Sequence, residues 1–270
     1  MSQNKVRQMV IDLVITSREN KIFKLAMMLK QSRGRSEKEM FLIEGMRSVC
    51  DAIKKGARLY AVIIKEKSTF DFEVDCPIYS LAPKLFGEVA ETVTPQGIIA
   101  ICYMKKDKKE DISKGEKNAV VMCEKLQDPG NIGTIIRTAH ACDCGGVVLS
   151  KGCCDLYNPK IIRATMSGIF SIPVVHGADS KETIEYFRAQ GYKIVAGALS
   201  PDAVDLYSAD LTGKVLIIIG NEGNGVEEET LSLCDSVLKI PMRSDAESLN
   251  AAVAGAIMIY EHHRQNQKKF

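Results

Sequence analysis

Three short runs carry residue types at a spacing that a catalytic site needs. The first, DPGNIGTIIRTA over residues 128–139, sets an acid and a proline at a helix entrance, an asparagine in the first turn and Arg137 further along. The second, IIIGNEGNGV over residues 217–226, places Glu222 among three glycines. The third, IPMRSDAESLN over residues 240–250, ends on Ser248, Leu249 and Asn250. Each follows an apolar run that reads as a strand, at 119–123, 214–219 and 236–240. Ligands of open α/β sheets bind outside the carboxyl ends of strands, so the three loops converge on one site. Gly130 and Gly133 then read as positions where a ligand approaches the backbone. Each residue also has a plainer role. Asn131 caps or turns the chain, Glu222 pairs with a cation, Asn250 bonds backbone at a helix start, and Arg137 forms a surface ion pair worth little.

Other chemistries lack their residues. Gly220, Gly223 and Gly225 do not fit G-x-G-x-x-G and close a late strand, which argues against a dinucleotide fingerprint. No Walker A run, H-E-x-x-H or nucleophile elbow occurs. The four histidines are His140, His176, His262 and His263. The last two read as solvated or dipole-facing groups at a helix end, and His140 as a structural residue. Nine cysteines sit largely in apolar runs, as reduced thiols of a cytosolic protein do. Cys142, Cys144, Cys153 and Cys154 lack the paired C-x₂-C spacing of zinc sites, so no metal is expected.

The elements that must position these loops alternate along the chain. Strands are expected at 119–123, 146–149, 172–175, 192–197, 214–219 and 236–240, with helices at 129–143, 159–165, 180–190, 227–233 and 247–265. Asp128-Pro129 and Asn158-Pro159 open two helices by one device, a side-chain acceptor followed by a proline where no N–H is needed. Glu227, Glu228 and Glu229 suit the positive end of the next helix. The charged run MKKDKKEDISKGEKN marks a break. It sets a first domain at 1–104, a linker at 105–117 and a second domain at 118–270. The first domain reads as a small α/β unit: a helix over Asn20–Gln31, a polar basic loop at Ser32–Ser36, and strands at Phe41–Ile43, Leu59–Ile64, Pro77–Leu81 and Ile98–Tyr103. Helices at Arg47–Lys55 and Pro83–Ala90 complete it.

Hydrophobic residues make up 46% of the 270 and charged residues 26%, an ordinary globular balance with no run near the roughly 20 apolar residues of a membrane span. The apolar stretch Met9–Ile15 has no small-residue cleavage site behind it and does not read as a signal peptide. Residues 1–117 hold 22 Lys and Arg against 16 Asp and Glu, whereas residues 118–270 hold 14 against 18. A basic first half suits a polyanion. The densest candidates are Lys21, Lys24, Lys30, Arg33, Arg35, Lys38 and Arg47.

In combination and in order, DPGNIGTIIRTA, IIIGNEGNGV and IPMRSDAESLNAAVAGAIMIYE resemble motifs 1, 2 and 3 of the SpoU/TrmH family of RNA ribose 2′-O-methyltransferases in the SPOUT superfamily. The run TSRENKIFKLAMMLKQSRGRSEKEMFLIEGMRSVCDAI is similar to that family's N-terminal substrate-binding domain. The resemblance implies an α/β fold: a C-terminal methyltransferase domain tied in a trefoil knot, and a smaller ribosomal-protein-like N-terminal domain that binds RNA. It implies an S-adenosyl-L-methionine cofactor held at Leu199, Gly220, Asn221, Ile240, Met242 and Leu249. Catalytic positions would be Asn131, Arg137, Glu222, Ser248 and Asn250. It further implies a cytoplasmic homodimer, joined through the C-terminal domain, acting on a 2′-hydroxyl of 23S ribosomal RNA. A tRNA ribose methyltransferase and a non-catalytic knotted RNA-binding protein are the rival readings. Two departures bear on fine contacts: Ala251-Ala252 where a small hydroxyl residue is common, and Arg243-Ser244-Asp245 where a glycine is common. Guanidinium resists deprotonation, so Arg137 either needs a strongly shifted pKa to act as a base or serves as an electrostatic stabiliser.

Overall fold

The computed structural model describes residues 10–68, 72–115, 117–243 and 248–267. The chain divides into two compact units, Met1–Lys105 and Lys106–Phe270. Ser244 and Asp245 of the third run, and Glu247 at the expected helix start, lie outside the described residues.

The first unit contains β1 (Val10–Ile15), α1 (Lys21–Leu29), α2 (Ser32–Lys38), β2 (Met40–Glu44), α3 (Met46–Lys54), β3 (Leu59–Lys65), β4 (Ile78–Leu81), α4 (Pro83–Val89) and β5 (Ile98–Tyr103). Its sheet runs β1-β4-β3-β5-β2. β1, β4 and β3 are parallel, and β5 runs antiparallel to β3 and β2. β1 is an addition to the sequence expectation, which saw only an apolar stretch there. α1 begins where the Asn20 side chain accepts the Ile22 N–H at 2.8 Å, and it buries Ile22, Phe23, Ala26 and Leu29 as one stripe.

The loop expected at Ser32–Ser36 is instead α2. Gly34 allows this, because a Cβ there would stand 2.1 Å from the Met28 carbonyl oxygen. Arg35 is 4% exposed and donates from Nη1 to the Leu29 and Lys30 carbonyl oxygens at 3.0 and 2.9 Å. It therefore satisfies carbonyls that the end of α1 leaves open, and it is withdrawn from the surface that RNA would touch.

The second unit holds α5 (Lys109–Ser113), β6 (Ala119–Cys123), α6 (Pro129–Ala141), β7 (Gly146–Ser150), α7 (Pro159–Ala164), β8 (Val174–Ala178), α8 (Ser180–Ala189), β9 (Lys193–Gly197), β10 (Val204–Asp205), β11 (Val215–Ile219), α9 (Glu228–Ser232), β12 (Ser236–Lys239) and α10 (Ala251–Asn266). The stretch 105–117 is thus not purely linker: α5 lies in it and buries Ile112. Seven strands in the order β10-β12-β9-β11-β6-β7-β8 pair in parallel throughout. AVVMC, GVVLS and VLIII are buried at every position, as strands covered on both faces must be. α10 starts at Ala251 with Asn250 as its cap, so the expected helix over 247–265 is shorter at its front.

Gly34→Ala is expected to force α1 and α2 apart and cost about 1–3 kcal/mol, and Arg35→Ala to destabilise similarly. Arg33→Ala, on the exposed side of the same helix, should stay within about 0.5 kcal/mol. Urea denaturation of the whole chain measures this. Equal midpoints for Arg33→Ala and Arg35→Ala would contradict the anchoring role.

Candidate active site

The loop after β6 begins α6 with a tight cap. The Asp128 carboxylate accepts the Asn131 N–H at 2.9 Å, and Pro129 takes the first helical position. Gly133 is buried and serves packing, which corrects the expectation of ligand approach there, whereas Gly130 is exposed. A Cβ at Gly130 would stand 2.9 Å from an Asp128 carboxylate oxygen, and one at Gly133 would stand 2.4 Å from the Ala164 Cβ of α7. Gly133 is therefore where α6 and α7 touch.

The loop after β11 is a closed turn. Asn221 and Gly225 exchange backbone hydrogen bonds at 2.8 and 2.9 Å, and the Asn221 side chain accepts the Gly223 and Asn224 N–H groups. A Cβ on Gly220 would meet the Gly225 carbonyl carbon at 2.2 Å, so only glycine lets the turn fold back on its strand. The turn carries Glu222 toward α6. Its carboxylate accepts the Gln127 and Asp128 N–H groups at 3.2 and 3.1 Å, and the Asn131 amide at 2.9 Å. The Asn131 oxygen then accepts from the Asn250 amide at 2.9 Å. The Asn250 oxygen accepts the Ala252 and Val253 N–H groups at 2.9 and 3.2 Å.

These bonds form one directed chain. A carboxylate only accepts, and a helix N-terminus only donates. Asn131 and Asn250 lie between those ends, so each amide fits in one orientation. The chain ties the three motif loops together, and Asn131, only 6% exposed, is its middle link. Burial is the largest single effect on Glu222 and opposes its charge. The Asn131 amide and the N–H groups of Glu222, Gln127 and Asp128 together outweigh it and hold the carboxyl below its ordinary range.

Beside this chain lies an open cavity of about 560 Å³. All six positions expected to hold a cofactor line it: Leu199, Gly220, Asn221, Ile240, Met242 and Leu249. Glu222, Ser248 and Asn250 line it as well. Asn131 stands behind Glu222 and Asn250 as their tie. Arg137 is exposed and does not line the cavity. Six residues beyond Asn131 on the helix, it sits about 9 Å further along the axis. Among the sequence-derived basic residues, Lys21, Lys24, Arg33, Lys38 and Arg47 are exposed. Lys30, like Arg35, is committed within the unit, since its ammonium donates to the Glu88 and Ala90 carbonyl oxygens.

Sequence reasoning missed several contributors. Gly197 and Met258 line the cavity floor, and a Cβ on Gly197 would stand 2.7 Å from the Met258 sulfur. A glycine closing β9 was the available signal. Glu124, fully buried after β6, accepts the Glu227 N–H at 2.9 Å and the Thr230 hydroxyl at 2.6 Å, pinning α9. His262 is 4% exposed and bonded to the Gly213 carbonyl oxygen at 3.1 Å, a structural role in place of the expected solvated one. Burial pushes the thiol of Cys144 up to about 12 and that of Cys154 up to about 11, which keeps both protonated at neutral pH.

Asn131→Ala and Asn250→Ala should each destabilise by about 1–2 kcal/mol, with a coupling of about 0.5–3 kcal/mol in a double-mutant cycle. The folded-state pKa of Glu222 is lowered, so its contribution is full above about pH 4.3 and is lost as pH falls through the folded value. Glu222→Gln should remove that acid dependence. Additive energies from urea denaturation would contradict a continuous chain.

Residues 118–260 match the SpoU rRNA Methylase family, and residues 20–100 match an MRM3-like substrate binding domain. A Bacillus subtilis relative, the 23S rRNA (guanosine(2553)-2′-O)-methyltransferase RlmP, is 35% identical over 91% of this chain and 97% of its own length. The 23S rRNA (uridine(2479)-2′-O)-methyltransferase of Streptomyces viridochromogenes is 31% identical over 93% of this chain and 92% of its own. Among solved structures, the AdoMet-bound rRNA methyltransferase from Sinorhizobium meliloti superposes with a TM-score of 0.85 at 28% identity, covering 95% of this chain and 99% of that one. The three-loop site, the seven-stranded parallel sheet and the matched span together make this chain a member of the SpoU rRNA methylase family.

Proposed function

We propose that this protein transfers a methyl group from S-adenosylmethionine to a ribose 2′-hydroxyl of 23S ribosomal RNA. One observation carries the reading: the six residues expected to hold the cofactor line a single cavity whose border is Glu222, Ser248 and Asn250. The cavity fits such a group. Its 560 Å³ lies inside the range of about 300–1,000 Å³ common for small-molecule sites. Leu199 and Leu249 are 62% and 37% exposed there, apolar surface that a flat ring would cover. The turn at 220–226 and the stretch at 240–242 bring backbone polar groups to the same walls.

When bound, S-adenosylmethionine supplies a methyl group on a positively charged sulfur. The remaining work falls to the chain. Glu222 and Asn250, immobilised through Asn131, hold the cavity border in one geometry, and alignment of this kind supplies several kcal/mol in displacement reactions. Ser248, exposed at that border, is placed to bond the ribose. Arg137 binds the target phosphate and steadies the developing oxyanion, the role a permanently charged guanidinium performs best. Because Arg137 stands off the cavity of its own chain, the reading includes a homodimer in which a second copy delivers it. The reading also includes the trefoil knot and a cytoplasmic location. No helix among the described residues is long and apolar enough to cross a membrane. The exposed Lys21, Lys24, Arg33, Lys38 and Arg47 give the first unit its phosphate contacts.

Arg137→Ala is expected to lower turnover on rRNA by about 10²–10³-fold, while S-adenosylmethionine binds as before by isothermal titration. Arg137→Lys should recover little of it, because a point charge does not reproduce the planar fork. Full turnover in Arg137→Lys would refute the bidentate role. Absence of S-adenosylmethionine binding at high micromolar concentration would refute the enzyme reading.

A further inference from the structure

A second cavity, of about 290 Å³, lies on the other side of the 220–226 turn. Asn221, Asn224 and Gly225 form the wall that it shares with the larger one. It sits where β6, β11 and the loop after β7 end, bordered by Glu124, Lys125, Gln127 and Gly152. This is the switch point of the sheet. β6 leads through α6 to β7 on one side, and β11 leads through α9 to β12 on the other. Crevices between strands that part in this way are where open α/β sheets take ligands. The methyl-donor cavity thus has a neighbour separated from it only by the turn that carries Glu222.

The polar groups of this second cavity are a matched pair. The Lys125 ammonium bonds the Glu227 carboxylate, and the two side chains are 47% and 49% exposed. Both retain bonding capacity beyond that one contact, since an ammonium has three donors and a carboxylate about four acceptor sites. The pair is held in place from behind. Glu124 accepts the Glu227 N–H, fixing the start of α9. Lys125, two residues past the end of β6, has a left-handed backbone at φ 52°. Gly152, at φ +88°, leaves the room: a Cβ there would stand 3.2 Å from the Lys125 Cγ. Glu227 already pairs the Lys125 ammonium, so a phosphate would have to displace a carboxylate, whereas a neutral base can bond both groups.

We propose that this cavity receives the base of the target nucleotide and that the Lys125–Glu227 pair reads it as guanine. The proposal rests on the ribose-methylation reading above. Guanine alone presents two adjacent donors, N1–H and N2–H₂, beside an acceptor, O6. The Glu227 carboxylate takes both donors, and the Lys125 ammonium donates to O6. Adenine offers an acceptor at N1 where the carboxylate needs a donor. Uracil flanks its single N3–H with two acceptors, so one carboxylate oxygen faces a carbonyl. The Watson–Crick edge must be free, so the target nucleotide is unpaired or turned out of its stack.

The test uses the full-length protein, S-adenosylmethionine and large-subunit rRNA from cells lacking the protein, with the ribose-methylated nucleotide mapped. Guanosine is expected. Transcripts of that rRNA with the mapped guanosine changed to adenosine should then lose roughly 10–100-fold in kcat/KM with the native protein. In Glu227→Gln and, independently, in Lys125→Met, that preference should fall below about fivefold, with S-adenosylmethionine affinity unchanged. Methylation at a nucleotide other than guanosine overturns this inference and leaves the ribose reading standing. So does an undiminished preference for guanosine in both variants. Absence of any ribose methylation overturns both.

Discussion

The hydrogen-bond chain from Glu222 through Asn131 to Asn250 is the constraint on which the site depends. Its two ends are chemically opposite, a carboxylate and a helix N-terminus, and the amides between them transmit that polarity. No member can turn without orphaning its neighbour. Loops that end on three different strands are thereby given one relative position. The lowered pKa of Glu222 is the electrostatic trace of this arrangement, because the donors converge on a charged carboxylate and outweigh the burial that opposes it.

Backbone close to backbone is the second theme. Gly220, Gly133, Gly197 and Gly34 each stand where a Cβ would overlap a neighbour at 2.7 Å or less. At Gly220 this folds the turn that carries Glu222 onto its strand. At Gly197 it seats Met258 under the cavity, and at Gly133 it draws α7 against the helix that carries Asn131. Gly220 and Gly197 thus shape the cavity they line by letting protein atoms close behind them. The same frame sets out the chemistry along the sheet edge: a large cavity at the ends of β9, β11 and β12, a small one at the ends of β6, β11 and β7, and Glu222 on the turn between them.

Much of this was legible in the residues. The runs AVVMC, GVVLS and VLIII read as buried parallel strands, and Asp128-Pro129 and Asn158-Pro159 opened helices where expected. The convergence of three loops followed from a general rule of open sheets, and the six cavity positions followed from family resemblance. Other features stayed hidden because they depend on partners distant in sequence. SRGRS is polar and glycine-bearing and reads as a loop, but Arg35 finds the carbonyls of the preceding helix and Gly34 lets it reach them. Gly133 reads as a ligand position, yet what it meets is Ala164. Asn131 gave no sign that both faces of its amide would be used. Lys30 looked like any surface lysine until the end of α4 supplied two carbonyl oxygens for it.

If one directed chain of bonds holds the three loops together, loosening its middle link must loosen both ends at once. Hydrogen–deuterium exchange of Asn131→Ala against the native chain measures this directly. The account predicts faster exchange together in residues 220–226 and in the first turn of α10, beyond the uniform loss of protection that β6, β7 and β11 share with the lowered global stability. Faster exchange confined to the first turn of α6, with the other two segments as protected as before, would contradict it.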